Sequence, residues 1–484
     1  LDSCFHLLGV LSFSDDDAQP YLLIAIDRLR ALASLPDRLW VHARLDANAA
    51  SQTVTANMSL YDDEGRQCAA IDGIHLRRAS SEQLRQSESR TNSDLWYGVE
   101  WQDFVLPTDS VLRTDLVVEN LPGDVSATTG KLLDEYQIAE YEKQIEQLED
   151  IALSFACNAL LQLGINFDEF SGTVDDIVST YRIEVRHRRL VERICSVLCT
   201  VGALHKENSV YTPAWTQQAL LDCAANRLTE RSLPACEPEL ALLESCGQAL
   251  AEILTGKTDA VNVLFPGGKF DKVEKLYKDA PYAKVCNEVV RQCVARCTEN
   301  RKDARAVRIL EVGAGTGGTT DGVLAVCDPD STEYLFTDVS PLFLDRARER
   351  YQHLPFVDYA VFDVEKSAAE QGLSPGFDLI VAANVLHATQ DLGAVIAGLN
   401  DLLAPGGAIV SIEGTRPTLW VDLTFGLTDG WWRFTDTDRR SGHPLMSQDA
   451  WAALYSESGL DSVAIIASSM RKPSQEVFVA AKAA

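Results

Sequence analysis

The chain has 484 residues and a formal net charge of −28, a balance that repels a phosphate backbone and disfavours a DNA or RNA partner. Its length suggests roughly three domains. It carries no apolar run of about 18 residues and no basic leader before an apolar stretch, so neither a membrane span nor a secretory signal is expected. The 12 cysteines are scattered, with no C-x-x-C pair and no His/Cys cluster at zinc spacing. Reduced thiols, a cytoplasmic setting and no metal follow. A chain that begins LDSCFHLL reads as part of something longer.

In chain order, residues 1–82 read as one opening helix, Leu1 to Leu11, followed by strands. PYLLIAIDRLRAL, DRLWVHARLDA, QTVTANMSLYDD and CAAIDGIHLRRAS alternate with period two, and Asp63-Glu64-Gly65 makes a turn. Residues 83–129 form a linker, polar over SEQLRQSESRTNSDL, with one short edge strand in LWYGVEWQ. From 130 to 300 the apolar residues fall at helical spacing, as in YEKQIEQLEDIALSFACNALLQLG and PELALLESCGQALAEIL, which predicts a helical lid or substrate subdomain. Cys195/Cys199 and Cys293/Cys297 are i,i+4 pairs on these helices, expected to be small buried apolar residues. The basic run Arg182, Arg186, Arg188, Arg189 and Arg193 stands out in an acidic chain, either as a solvated helix face or as a docking face for an acidic partner.

Residues 301–484 carry the chemistry. VRILEVGAGTGGTT runs from an apolar strand into a glycine-rich turn and then a helix. Glycines at 313, 315, 317 and 318 remove every Cβ from that turn, so the backbone can take positive φ and approach a ligand closely. Through Gly313, Gly315 and Gly318 the spacing is G-x-G-x-x-G, which by itself suits NAD or FAD equally well. Asp338 closes EYLFTD, where a carboxylate can bind ribose hydroxyls. Asp363 closes FVDYAVFD and can accept from an adenine amine or cap the segment that follows. FDLIVAA is the near-continuous apolar run of a central parallel strand, ending in Asn384-Val-Leu-His387, and LLAPGGAIVSIEG turns into a fifth strand ending near Glu413.

This order resembles the class I S-adenosylmethionine-dependent methyltransferases, with an acidic residue before the loop, acidic strand tips and a PGG turn before strand five. Taken together, ILEVGAGTGGTT, LFTDVS, FDVEK, NVLHAT and LLAPGGAIVSIE are similar to the C-methyltransferase domain of highly reducing type I polyketide synthases. The segment upstream resembles the C-terminal half of a double-hotdog dehydratase, Asp2 and His6 standing where that family has Asp-x-x-x-Gln/His. The resemblance implies an α/β Rossmann-like core with an N-terminal helical lid, preceded by a partial α+β hotdog.

It also implies S-adenosylmethionine as cofactor and S-adenosylhomocysteine as product. The cofactor would be bound by Glu311, Gly313, Ala314, Gly315, Gly317, Asp338, Val339, Asp363, Val364 and Asn384. The implied substrate is a β-ketoacyl chain on an acyl carrier protein, within a polypeptide holding other synthase domains. His387 would be the general base and Glu413 its orienting partner. Tyr277 is the implied active-site tyrosine, with Tyr282 a nearby competitor. Trp431 and Trp432 either line an acyl tunnel or pack in the lid interface. O-methylation of a polyketide, or a non-catalytic structural role, are the alternative functions.

Overall fold

The structure, a computed structural model, describes residues 21–31, 38–46, 53–63, 65–78, 121–225, 232–298, 305–466 and 475–483. The chain divides into two compact units, Leu1–Thr108 and Asp109–Ala484. The expected opening helix, Asp2, His6, the polar linker and the edge strand of LWYGVEWQ lie outside the described residues.

The first unit is an antiparallel sheet of β1 (Tyr21–Ala31), β2 (Trp40–Asp46), β3 (Thr53–Tyr61) and β4 (Gln67–Arg78), in the order β1-β4-β3-β2. Alternation fixes its register: Val54, Ala56, Met58 and Leu60 of β3 are buried with Ile71, Ile74 and Leu76 of β4, while the residues between them on β3 are not. The predicted turn at 63–65 closes β3 onto β4, with Gly65 at φ 77° and its N–H on Asp62 O at 3.0 Å.

The second unit begins with helices. Ile138–Gln162 buries Tyr141, Ile145, Leu148, Ala152, Phe155 and Ala159 along one stripe, the three-and-four spacing that predicted it. A hairpin the sequence reading took as helical breaks the series. β5 (Leu204–Glu207) and β6 (Val210–Pro213) are joined by Asn208 and Ser209, both left-handed at φ 49° and 69°, as a two-residue hairpin turn requires.

The core sheet contains β7 (Val307–Val312), β8 (Thr332–Asp338), β9 (Val357–Val361), β10 (Phe377–Ala383), β11 (Leu403–Gly414), β12 (Ser462–Ile466) and β13 (Gln475–Ala481). Its order is β12-β13-β11-β10-β7-β8-β9, with β13 antiparallel to both neighbours and the pairs from β11 to β9 parallel. The chain winds outward from β7 to β9, then returns to place β10 on the other side of β7. Loops leaving β7 and β10 therefore part, and a crevice opens above their carboxyl ends. Asp378, the one charge in β10, is fully buried and held by Arg305 at 2.5 and 2.8 Å and by the Arg308 N–H at 2.9 Å.

Helix Pro281–Thr298 packs against β11 and β13 of this sheet and buries Val285, Val289 and Val294 together with Cys286, Cys293 and Cys297. Burial pushes the Cys297 thiol up to about 12, so these cysteines act as small apolar residues. Among the described residues no group of three or more His, Cys, Asp or Glu is placed to hold a metal ion, and no helix is long and apolar enough to cross a membrane. The basic run is split between the surface and the fold: Arg182 and Arg186 are exposed, while Arg193 turns inward. Arg186 pairs with Glu184 and Asp429, Arg188 with Asp175 and Glu192, and Arg193 with the buried Asp422 at 2.9 Å. Arg189 donates to Trp432 O and Phe434 O.

Candidate active site

The glycine turn after β7 bends under steric necessity. Gly313 has φ 59°, and a Cβ there would sit 2.4 Å from Val385 Cγ2, so a side chain would both strain the backbone and strike the loop leaving β10. Gly315 and Gly317 also have positive φ. Gly318 does not, contrary to expectation. It is glycine because a Cβ would lie 2.9 Å from Tyr277 O, where the turn packs on the helix Asp271–Asp279. The helix that follows, Thr320–Leu324, is only five residues long.

The turn lines a cleft of about 870 Å³, its open mouth included, whose walls hold Glu311, Gly313, Ala314, Gly315, Asn384 and Tyr277. A second cleft lies beside it and contains His387. Tyr277, Asn384, Phe425, Ala283 and Gln475 belong to both walls and form the partition. Tyr282 lines only the second cleft of the two, and its hydroxyl donates to Gln475 O. Asn384 ends β10 at φ 54°, a left-handed turn that asparagine tolerates better than most residues. Its N–H continues the ladder to Ile412 O at 2.7 Å, and its side-chain oxygen accepts from Gln475 at 3.1 Å.

That turn folds His387, on the short 3₁₀ turn Leu386–Ala388, back over the end of β11. Nδ1 of His387 lies 2.7 Å from Glu413 Oε2. Glu413 Oε1 accepts the N–H groups of Leu386 at 2.8 Å and Val385 at 3.2 Å. Glu413 is fully buried and His387 nearly so. Since an ionised carboxylate only accepts hydrogen bonds, Nδ1 carries the hydrogen and Nε2 is the basic nitrogen of the neutral ring.

The turn is clamped from outside by Arg440, itself buried. It donates to His387 O at 2.9 Å, to Thr389 O at 2.9 Å and to Gln390 O at 3.0 Å while paired to Asp436 at 2.6 Å. Trp431 meets the His387 ring edge-on with centroids 5.1 Å apart. Burial, and then Glu413, raise the Tyr277 hydroxyl well above the usual tyrosine range.

The remaining expected cofactor residues are placed differently. Glu311 is buried with Oε2 accepting from Tyr334 at 2.6 Å and Thr320 at 2.7 Å, and desolvation pushes it up to about 7. Asp338 lies beneath the turn, its oxygens accepting the N–H groups of Gly315 at 3.0 Å and Ser340 at 2.8 Å. Val339 is exposed. Asp363 accepts from Glu365 N–H at 3.1 Å and faces Lys366 at 3.2 Å. The segment after it forms a short 3₁₀ turn, Ala369–Gln371. Val364 faces a separate depression with Phe362 and Leu373. Arg440, Asp436, Gln475, Thr319, Phe425, Trp420 and Arg416 escaped the sequence reading. Gln475 arrives on the returning antiparallel strand and Arg440 from a loop, and neither carries a local signal.

Residues 310–409 match the family described as methyltransferase domain, and residues 1–86 match the polyketide synthase dehydratase N-terminal domain. The second description names the N-terminal part, where the sequence reading assigned the C-terminal half of a hotdog pair. The chain is similar to polyketide synthase ThaG of Burkholderia thailandensis, 42% identical over 255 residues, 51% of this chain but 4% of that synthase. It is also similar to the non-reducing polyketide synthase mapC of Penicillium roqueforti, 31% identical over 301 residues, 60% of this chain and 12% of that one. These matches are wider than the highly reducing class, and the chain spans a small part of each relative. The crystal structure of the CurJ carbon methyltransferase aligns with a TM-score of 0.69 at 32% identity, covering 75% of this chain and 99% of that one. A class I methyltransferase fold behind a dehydratase segment, with near-complete coverage of that solved domain, leaves one assignment: the chain belongs to the polyketide synthase carbon methyltransferase family.

Proposed function

We propose that the chain transfers a methyl group from S-adenosylmethionine to the α-carbon of a β-ketoacyl chain, held as a thioester on an acyl carrier protein, as one domain of a larger synthase. The observation that carries this is the shared wall. A glycine-lined cleft at the strand switch point and a cleft holding a His/Glu pair meet at Tyr277 and Asn384. The first cleft fits the cofactor: Gly313 and Gly315 clear its floor of side chains, and each oxygen of Asp338 keeps a lone pair for a ribose hydroxyl while bracing the turn. When bound there, S-adenosylmethionine supplies the electrophilic methyl group.

The chain's own residues handle the proton. An α-carbon between ketone and thioester is acidic enough for imidazole, so Nε2 of His387 takes its proton and the electron pair spreads onto the flanking oxygens. Glu413 keeps the hydrogen on Nδ1 and stabilises the imidazolium that results. Buried aromatic walls exclude water from the nucleophilic carbon.

The test is His387→Ala with a β-ketoacyl pantetheine thioester. Cofactor affinity should be unchanged, while methyl transfer and deuterium exchange at the α-carbon fall by about 10²–10⁴. Wild-type-like C-methylation by this variant would overturn the base assignment, and label on oxygen would move the reading to O-methylation.

A further inference from the structure

Buried polar groups are almost always hydrogen-bonded, so clustered exceptions are informative. In the walls of the cleft that holds His387, the indole Nε1 of Trp420, the indole Nε1 of Trp431 and Nε of Arg416 are buried with no hydrogen-bond partner among the described residues. Comparable indoles elsewhere are satisfied: Trp432 donates to Gly426 O at 2.8 Å and Trp451 to Gly414 O at 3.2 Å. Neither of those two lines this cleft. An indole or guanidinium nitrogen only donates, so whatever completes these three must bring acceptors. The same cleft is lined by the apolar Val421, Phe425 and Leu445 and by Glu239, whose buried Oε2 also lacks a partner among the described residues and whose carboxyl is pushed up to about 7 by burial; this lining suits a neutral chain bearing carbonyl oxygens better than a phosphate or carboxylate.

Two of the three donors are held in place. The backbone N–H of Trp420 and that of Leu419 are both fixed by Glu149 of the lid helix, at 2.9 and 2.8 Å. Trp431 is fixed by its edge contacts with His387 and with His443, at 5.1 and 6.1 Å between centroids.

Resting on the methyl-transfer reading above, we infer that Trp431, Trp420 and Arg416 form a carbonyl-binding wall for a 1,3-dicarbonyl chain, with Trp431 serving the oxygen nearest the base. When the α-carbon gives its proton to Nε2 of His387, the electron pair moves onto the two carbonyl oxygens, and hydrogen bonds from fixed donors strengthen as that charge develops. The wall thus selects β-ketoacyl over saturated acyl chains and lowers the barrier to enolate formation.

The experiment measures the affinity of S-adenosylhomocysteine-loaded protein for a β-ketoacyl pantetheine thioester and for its saturated counterpart. Wild type should prefer the β-keto ligand. Trp431→Phe keeps the ring packing but loses the donor, and the preference should shrink about tenfold with the saturated ligand bound as before. Trp420→Phe is the second variant in case the first folds poorly, with the same expectation. Full preference in both variants, or none in wild type, overturns the inference. A wild-type preference that Trp431→Phe abolishes, without methyl transfer in any assay, would support the carbonyl wall while sinking the methyl-transfer reading.

Discussion

Glu413→Gln tests the dyad most closely, because the structure dictates how the new amide must lie. Oε1 of Glu413 receives two backbone N–H groups, from Leu386 at 2.8 Å and Val385 at 3.2 Å. A glutamine has one acceptor oxygen, and turning its NH₂ toward those two donors would set donor against donor in a fully buried site. The oxygen therefore stays with the backbone and the NH₂ faces His387 Nδ1, 2.7 Å from the position of Oε2. Nδ1 must then accept, the ring hydrogen moves to Nε2, and the lone pair that should take the α-proton is gone. The imidazolium also loses its counter-charge. Together these predict a fall of about 10³ in methyl transfer and in α-deuterium exchange, close to that of removing the base itself. Because shape and backbone hydrogen bonds survive, melting temperature and S-adenosylhomocysteine affinity should change little. Exchange by solvent deuterium, followed by mass spectrometry on a β-ketoacyl pantetheine, reads the proton step directly. Exchange within about threefold of wild type would refute the tautomer argument.

Two further outcomes rest on other parts of the fold. Gly313→Ala places a methyl 2.4 Å from Val385 Cγ2 at φ 59°; it should cost about 1–3 kcal/mol and weaken S-adenosylhomocysteine binding in calorimetry, with Gly313→Ala/Val385→Ala recovering part of the loss. An unaltered melting temperature and affinity in the single variant would contradict this. Glu476 is fully buried, neither carboxyl oxygen has a hydrogen-bond partner among the described residues, and burial pushes it up from 4.5 to about 7. A raised folded-state value means its contribution is complete below about pH 4.5 and is lost as pH rises through 7, a loss of about 3 kcal/mol. Glu476→Gln should therefore flatten the stability profile between about pH 4.5 and 7 in denaturant titrations, and an unchanged slope would show that the carboxyl is not neutral when folded.

Much of this was legible along the chain because it is local. Period-two alternation fixed the four strands of the first unit, three-and-four spacing found the long helices, and a run of small residues after an apolar strand marked the glycine turn. Asn384 and His387 announced themselves by following a near-continuous apolar strand, which in a parallel sheet ends at the crevice. The hairpin at 204–213 was missed because its strands are four residues long, and its left-handed Asn208-Ser209 turn lies inside an otherwise helical pattern.

What the sequence by itself determined is which residues could carry the chemistry: the glycine turn, the acidic strand tips, a histidine and a glutamate on successive strand ends. Only the tertiary structure decided their meeting. Parallel pairing of Ala383 with Ile412 brings His387 and Glu413, 26 positions apart in the chain, within hydrogen-bond reach. The returning antiparallel strand delivers Gln475 to Asn384, and Arg440 reaches back from a distant loop to clamp the turn. Contacts of this kind depend on register and on burial of unpaired groups, quantities defined between strands rather than along one, so no local pattern could have recorded them.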